Sequence, residues 1–249
     1  MNKLIYRIAL LFIAVSLVSC QKDLMTFDNK QADVYFSDAG KALPTLAYDS
    51  LYVSFAYSKS QDSVRNIVVA ATGSKVDHDR TYQVAVDPSS TAIAGTHFAV
   101  LSQKFVIKAN TQADTIKLKL VRTPEMQTTS YFVVLNLLPN ENFGTSFKSR
   151  LVSSKSIKTI STKILFNDIV RKPGKWSDAY FGAFSRKKLF FMCDFLEITP
   201  QYIDTDITIS EITALSKLVQ RHLNQLGAAG NPVYEDDGVT LIKMGASAQ

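Results

Sequence analysis

The sequence predicts a mainly β protein with a C-terminal α region, in which an antiparallel sandwich is followed by a smaller helical subdomain. Short apolar runs separated by turn-forming residues continue from Val34 to about Val170, which is the pattern of a sandwich. Apolar residues recur with the helical period between Ile212 and Leu226. The Pro-Gly pair at 173–174 lies between the two patterns and marks the boundary between the regions.

The N-terminal region contains seven segments with the composition of strands. Ile116, Leu118 and Leu120 alternate with lysines, which predicts one buried face and one solvated face. The run from Tyr131 to Leu138 is apolar on both faces, so we expect a central strand there. The predicted strands are 34–36, 51–57, 64–71, 82–86, 116–120, 131–138 and 156–166.

The C-terminal region contains three segments that favour helices. An aromatic stretch runs from Trp176 to Phe184, and a second candidate helix runs from about Ser185 to Leu196. The third helix begins at Thr208 and Glu211, which have the spacing of a capping box, and ends at Gly227. Its apolar stripe consists of Ile212, Leu215, Val219, Leu223 and Leu226.

The first twenty residues have the pattern of a secretory signal that ends in a lipidated cysteine. Lys3 and Arg7 precede a run from Ile8 to Val18 that is apolar apart from Ser16. This run is shorter than the about 20 residues that span a bilayer. The run ends in Leu-Val-Ser before Cys20, which resembles the bacterial lipobox, so we expect Cys20 to carry lipid. The predicted divisions are a signal peptide at 1–19, Cys20 and a tether at 20–32, a sandwich at 33–170, and a mainly helical region at 171–249.

Charge and cysteine usage exclude several classes of protein. Loss of Lys3 and Arg7 with the signal leaves 26 basic and 22 acidic residues, a net charge near +4, without a dense basic stripe. Nucleic acid is therefore not an expected partner. The basic residues at 171–175 and 186–188 are expected to form solvated faces. Cys193 lies in an apolar segment and is expected in the core. The other cysteine, Cys20, is expected to be lipidated, so no intramolecular disulfide is predicted.

The chain lacks the common catalytic signatures, including HExxH, G-x-S-x-G, the P-loop and GxGxxG. We therefore predict no enzyme, no catalytic residue, no cofactor and no metal. Two alternatives stay open at this point. The Asp77-His78-Asp79 segment is either a metal site or a polar hairpin loop, and Asp236 with Asp237 is either a hydrolase pair or a turn.

Aromatic residues after the boundary are the candidate ligand-binding residues. Trp176, Tyr180 and Phe184 recur every four residues. If they are exposed, they can stack on sugar rings or seat a partner protein. The alternative is that they form one buried face of a helix, because this spacing is also that of a core.

A set of segments distributed over the chain resembles a family of Bacteroidetes surface lipoproteins that is classed as a domain of unknown function. The resemblance implies a Calx-beta-like or immunoglobulin-like sandwich, a helical C-terminal part, and association with outer-membrane uptake systems of the SusC/SusD type. The segments that carry it are the lipobox at Cys20, 34–36, 54–56, 79–82, 94–98, 142–144, Trp176, 181–188 and 236–238.

The Calx-beta likeness centres on Gly95-Thr96-His97-Phe98. In calcium-binding Calx-beta domains, an Asp usually stands at the position of His97 and another commonly follows the last strand. Here Arg122 and Thr123 occupy that end. Because calcium requires several carboxylate ligands, the resemblance is expected to extend to the sandwich and not to the ion.

These observations predict a non-catalytic lipoprotein that acts as an accessory binding component of an outer-membrane nutrient-uptake assembly. It would be anchored through Cys20 in the outer membrane, at the cell surface or on the periplasmic face, and would bind a glycan, a peptide or a SusC/SusD-type complex. The alternatives are a secreted hydrolase of glycans or peptides and a structural or adhesive surface protein.

Overall fold

The computed structural model describes residues 31–39, 50–152 and 154–249. The predicted signal peptide, Cys20 and most of the predicted tether therefore lie outside the described residues. Within the described ranges, no helix has the length and apolar character needed to cross a membrane.

Two four-stranded sheets form the N-terminal region. One has the order β1-β3-β8-β6 and the other has the order β2-β12-β9-β5. A ribbon of β4 and β7 and a hairpin of β10 and β11 complete the described β structure. The strands are β1 (Val34–Phe36), β2 (Ser50–Ser54), β3 (Asp62–Ala71), β4 (Arg80–Thr81), β5 (Gln83–Val86), β6 (Phe98–Val100), β7 (Val106–Ile107), β8 (Ala113–Val121), β9 (Tyr131–Leu138), β10 (Ser149–Val152), β11 (Lys155–Lys158) and β12 (Ser161–Asn167).

Alternating side chains of the two sheets meet in one apolar core. In β8, Ile116, Leu118 and Leu120 are completely buried, as their alternation with lysines predicts. Register places Ile67 of β3 opposite Ile116, so both side chains enter the core. The opposing sheet contributes Val53, Val133, Leu135, Leu137, Ile164 and Phe166.

The pairing of β2 differs from the predicted antiparallel arrangement. β2 lies parallel to β12, with Val53 beside Phe166, and both side chains are buried. β1, by contrast, pairs antiparallel with β3 in the other sheet. Alternation of apolar residues specifies which face of a strand is buried but not the direction of its neighbour, so the sequence pattern could not predict this pairing.

Four helices form the C-terminal region. They are α1 (Asp178–Phe181), α2 (Arg186–Leu196), α3 (Pro200–Thr205) and α4 (Ile209–Ala228), and 3₁₀ turns lie at Pro124–Gln127 and Ala246–Ala248. The predicted fold class, a mainly β sandwich followed by helices, is confirmed. The predicted helices at 185–196 and 208–227 match α2 and α4 closely, whereas α3 was not predicted.

The predicted helix from Trp176 to Phe184 is wrong in its length. α1 has a single turn because Gly182 follows it with a φ of +76°, which ends the helix. A Cβ at Gly182 would lie 3.3 Å from both the Gly245 nitrogen and Lys188 Nζ, so the close packing there also requires glycine. Trp176 and Phe184 consequently lie outside α1, on either side of it.

A second apolar core lies among the helices. The C-terminal segment returns to it, because Gly245 N–H donates to Tyr180 O (2.8 Å) and Met244 N–H donates to Gln220 Oε1 (2.8 Å). The buried members of this core are Trp176, Phe181, Leu189, Met192, Cys193, Ile203, Ile207, Ile212, Val219, Leu223, Ile242, Met244 and Ala248.

The predicted capping box of α4 is confirmed. Thr208 Oγ1 accepts from the Glu211 N–H, and Glu211 Oε2 accepts from the Thr208 N–H at 2.8 Å. Glu211 Oε1 also accepts from the Tyr202 hydroxyl at 2.6 Å. Hydrogen bonds from the Thr208 side chain, the Tyr202 hydroxyl and the Thr208 backbone lower the pKa of Glu211 to about 2.

Glu211→Gln is expected to flatten the acid dependence of stability. The folded protein lowers the pKa of Glu211 from 4.5, so its stabilising effect is present above pH 4.5 and is lost as the pH falls toward 2. The free energy of unfolding of wild type and variant should therefore differ at neutral pH and converge in that interval. Urea titrations at several pH values measure this difference. Glu197→Gln, at an exposed carboxyl, is the control, and a constant difference down to pH 2 would contradict the prediction.

Candidate functional site

A buried carboxylate joins the end of the sandwich to the start of a helix. Asp168 follows β12, and its side chain is only 1% exposed. Arg122, which follows β8, donates to it through Nε at 3.0 Å and Nη2 at 2.9 Å. Arg186, the first residue of α2, donates through Nη2 at 3.0 Å and 3.3 Å. One carboxylate is thus shared between two arginines from different regions.

Backbone contacts keep the three side chains of this cluster in place. Arg186 Nη1 donates to Asp168 O at 2.9 Å, and Arg122 Nη1 donates to Ser58 O at 2.8 Å. A cation in the first turn of a helix is disfavoured by the helix dipole, and the carboxylate of Asp168 offsets this at Arg186. The cluster carries one net positive charge, because two guanidinium groups face one carboxylate.

A groove of about 970 Å³ lies beside this cluster, between the sandwich and the helices. Tyr57 and Lys59, in the loop after β2, line one wall, and Phe190 of α2 lies on the other. The guanidinium of Arg186 lies over the Phe190 ring, 5.1 Å from its centroid. Other residues that line the groove are Ser58, Arg122, Cys193, Asp194, Glu197, Ile198, Thr199, Pro200 and Gln201.

The groove combines aromatic faces with charged hydrogen-bond donors. Tyr57 is exposed, and its pKa is raised by partial burial and by the nearby Asp204 carboxylate. At the mouth, Lys59 Nζ lies 3.7 Å from Asp194 Oδ1. Burial raises the pKa of Cys193 to about 12, so its thiol stays protonated at neutral pH and is a poor nucleophile. The arrangement is suited to binding a polar ligand that has flat or ring surfaces.

The predicted ligand-binding aromatics lie in the helical core and do not line the groove. Trp176 is 6% exposed, and its indole Nε1–H donates to Gly182 O at 2.9 Å. The Trp176 ring lies 5.1 Å from Phe181 and 5.2 Å from Phe184 between centroids. Tyr180 and Phe184 are partly buried against the same core. Their placement matches the burial alternative stated above, although the three residues do not share one helix.

Two carboxylates that were candidates for a metal site or a catalytic pair, Asp79 and Asp237, form hydrogen bonds with loop residues. Asp79 accepts from Lys108 Nζ at 2.7 Å and from the Ala109 N–H at 2.9 Å. Asp237 accepts from Thr240 Oγ1, Thr240 N–H and Val239 N–H, and these bonds lower its pKa, so it is a poor general acid. Across the part of the chain that the structure describes, no group of three His, Cys, Asp or Glu residues could hold a metal ion.

His97 is buried in the sandwich. Its Nδ1 accepts from the Ile93 N–H at 3.0 Å, and its Nε2 lies 3.1 Å from Glu125 Oε1. The ring stacks on Tyr131 at 4.1 Å. Nδ1 therefore closes loop 93–97 on itself, and Nε2 holds that loop against Glu125 in the 3₁₀ turn. Arg122 is occupied by Asp168.

The expectation that residues 186–188 form a solvated face is wrong for two of them. Arg186 is partly buried on Asp168, and Lys188 is 4% exposed, with Nζ donating to Ala183 O at 2.8 Å. Burial lowers the pKa of Lys188. Its position four residues before Met192, on the buried face of α2, could have indicated this. No local pattern links Arg186 to Asp168 or Tyr57 to Phe190.

The fold places the protein among two-part proteins in which a β-sandwich is joined to a small helical region. A family model described as Domain of unknown function (DUF4843) matches residues 27–198, and the chain belongs to this family. The matched residues include the whole sandwich, α1 and α2. No curated protein matches the chain in sequence.

Several solved structures are similar to part of the chain. The apo form of the Calx CBD1 domain is 13% identical, with 55% of this chain and 99% of that chain covered, at a TM-score of 0.35. CBD12 from CALX1.2 is 12% identical, with 60% of this chain and 49% of that chain covered, at a TM-score of 0.37. A Bacteroides ovatus protein of unknown function is 12% identical, with 55% of this chain and 45% of that chain covered, at a TM-score of 0.33. The chain spans about half the length of the last two.

Asp168→Ala is expected to destabilise the protein by about 3–5 kcal/mol, because it leaves two partly buried guanidinium groups without their carboxylate. Asp62→Ala is the matched control, since Asp62 pairs with Lys119 at the surface and its loss should cost about 1 kcal/mol or less. Urea unfolding of both variants measures the difference. Equal losses for the two variants would show that the buried cluster does not stabilise the fold.

Proposed function

We propose that the protein is a non-catalytic, lipid-anchored lipoprotein that acts as an accessory binding component of an outer-membrane nutrient-uptake assembly of the SusC/SusD type. The groove between the sandwich and the helices is its binding site. The observation that carries this proposal is the combination, in one groove, of two aromatic side chains, Tyr57 and Phe190, with an arginine pair held in place by Asp168.

Three properties of the groove support ligand binding. It lies at a boundary between two regions, where ligand pockets commonly occur. Tyr57 is of a residue type enriched among binding hot spots, and Phe190 is of a type enriched at interfaces. Arg122 and Arg186 are already ordered by Asp168, so a ligand that uses them pays little conformational entropy. A glycan or a peptide could stack on the rings and accept hydrogen bonds from Lys59 or the arginines.

The location rests on the sequence of the first twenty residues. The leader and the Leu-Val-Ser-Cys segment at 17–20 support export, cleavage and acylation of Cys20. The anchor would hold the binding groove outside the cytosol, at the cell surface or on the periplasmic face. The hydrolase alternative gains no support from Asp237, because that carboxylate closes a turn.

Replacement of both groove aromatics, Tyr57→Ala with Phe190→Ala, is expected to weaken ligand binding by about tenfold or more, since each ring removes stacking area. The full-length chain is screened on glycan and peptide arrays and for co-purification with a SusC/SusD-type complex, and the affinities of wild type and variant are then compared. Tyr234→Ala, at a similarly exposed tyrosine outside the groove, is the control. Binding that is equal in all three proteins, or no binding in any assay, would contradict the proposal.

Cys20→Ala is expected to release the protein from the membrane or to leave its leader unprocessed, because stable anchoring requires acyl chains on that cysteine. Membrane fractionation and intact mass of the purified protein measure both outcomes. Cys193→Ala, at the buried cysteine, is the control and should stay in the membrane fraction. A Cys20→Ala protein that still fractionates with membranes would indicate a different attachment.

A further inference from the structure

We propose that the sandwich holds a second binding site, specific for an organic carboxylate with an apolar or aromatic body, in the cavity that Arg80 and Arg150 line. The cavity has a volume of about 1060 Å³ and lies beside β1 and β4. It shares no lining residue with the groove between the regions. The inference therefore stands independently of the function proposed above.

Arg80 is a buried cation that forms no ion pair with the residues that the structure describes. It is only 6% exposed, and within the same ranges its buried Nε and Nη2 atoms have no hydrogen-bond partner. The guanidinium lies over the Phe143 ring, 4.7 Å from its centroid. Arginine stays protonated in proteins, and an unpaired buried charge is costly, so such a group is expected to have a partner. A ligand anion would supply it.

Neither Asp33 nor Asp79 lies close enough to Arg80 to form an ion pair with it. Asp33 lines the same cavity and contributes one negative charge there, and its Oδ1 accepts from the Ser146 N–H at 2.8 Å. Asp79, the preceding residue, is paired with Lys108 at 2.7 Å. Among the described residues, no carboxylate oxygen lies within the 4.0 Å of an Arg80 nitrogen that would make an ion pair.

Arg150 provides a second cation in the same cavity. Its Nη2 donates to Ala39 O, while its Nε is buried and has no hydrogen-bond partner among the described residues. The lining thus contains two guanidinium groups and one carboxylate, that of Asp33. This excess of positive charge suits a carboxylate, which accepts charge-assisted hydrogen bonds from guanidinium groups.

The rest of the lining is suited to an apolar group. Tyr35 and Phe147 form an edge-to-face pair with centroids 5.4 Å apart, and Ala32 and Val76 lie beside them. A ligand with a charged head and a flat or apolar body would place the head on the arginines and the body against the aromatic pair. A free peptide C-terminus and a uronic acid, whose apolar C–H face can pack on an aromatic ring, are two sources of this carboxylate.

Calorimetry with the full-length chain tests the site, using N-acetylphenylalanine and its C-terminal amide as a matched pair. The acid is expected to bind about tenfold or more tightly than the amide, because only the acid forms charge-assisted bonds with the arginines. Glucuronate is titrated as a third compound, and its binding would identify an acidic sugar as the source of the carboxylate. Binding of either acid with rejection of the amide supports the proposal. Equal affinity for acid and amide, or no heat from any carboxylate at millimolar concentration, overturns it.

Variants then assign the binding to the two arginines. Arg80→Gln and Arg150→Gln should each weaken binding of the acid by about tenfold. Arg65→Gln is the control, because Arg65 also has a buried Nε without a partner but does not line the cavity. Far-UV circular dichroism checks folding, and the less buried Arg150 decides the test if Arg80→Gln does not fold. Unchanged binding in Arg150→Gln, or an equal loss in Arg65→Gln, overturns the assignment.

Discussion

The shared carboxylate of Asp168 is the contact on which the arrangement of the whole molecule depends. Asp168 directly follows β12, the last strand of the sandwich. Its carboxylate is held by one arginine from the sandwich, Arg122, and by one from the helical region, Arg186. A buried, bidentate charge pair tolerates little displacement, since each lost hydrogen bond leaves a desolvated charge. Asp168 therefore specifies how the first turn of α2 sits against the sandwich.

The two regions have separate apolar cores, so a polar contact between them is what can specify their relative position. The sandwich buries its own alternating side chains, and the helices bury theirs together with the returning C-terminal segment. Because neither core requires the other to fill its volume, hydrophobic burial alone does not determine their relative position. The charged cluster supplies that specificity, and the groove with Tyr57 and Phe190 lies where the two surfaces approach it.

Local patterns predicted the elements whose signal lies within a few residues. Alternation predicted the buried face of β8, and the Thr208–Glu211 spacing predicted the start of α4. The parallel pairing of β2 with β12 could not be predicted this way, because the alternation of apolar residues is the same in parallel and antiparallel strands. The binding candidates were misplaced for a related reason: the four-residue spacing that begins at Trp176 is the same for a buried face and for an exposed one.

The sequence by itself determined the family and the division into a β part and a helical part, because both are encoded in contiguous residues. The leader before Cys20 is also a contiguous pattern, and it stays a prediction. Only the tertiary structure decided which charges are paired and which are not. Arg122 and Arg186 meet one carboxylate, whereas Arg80 is buried beside Phe143 and forms no ion pair with the described residues. Charge pairing joins residues that are far apart in the chain, and such contacts have no period from which a sequence pattern could reveal them.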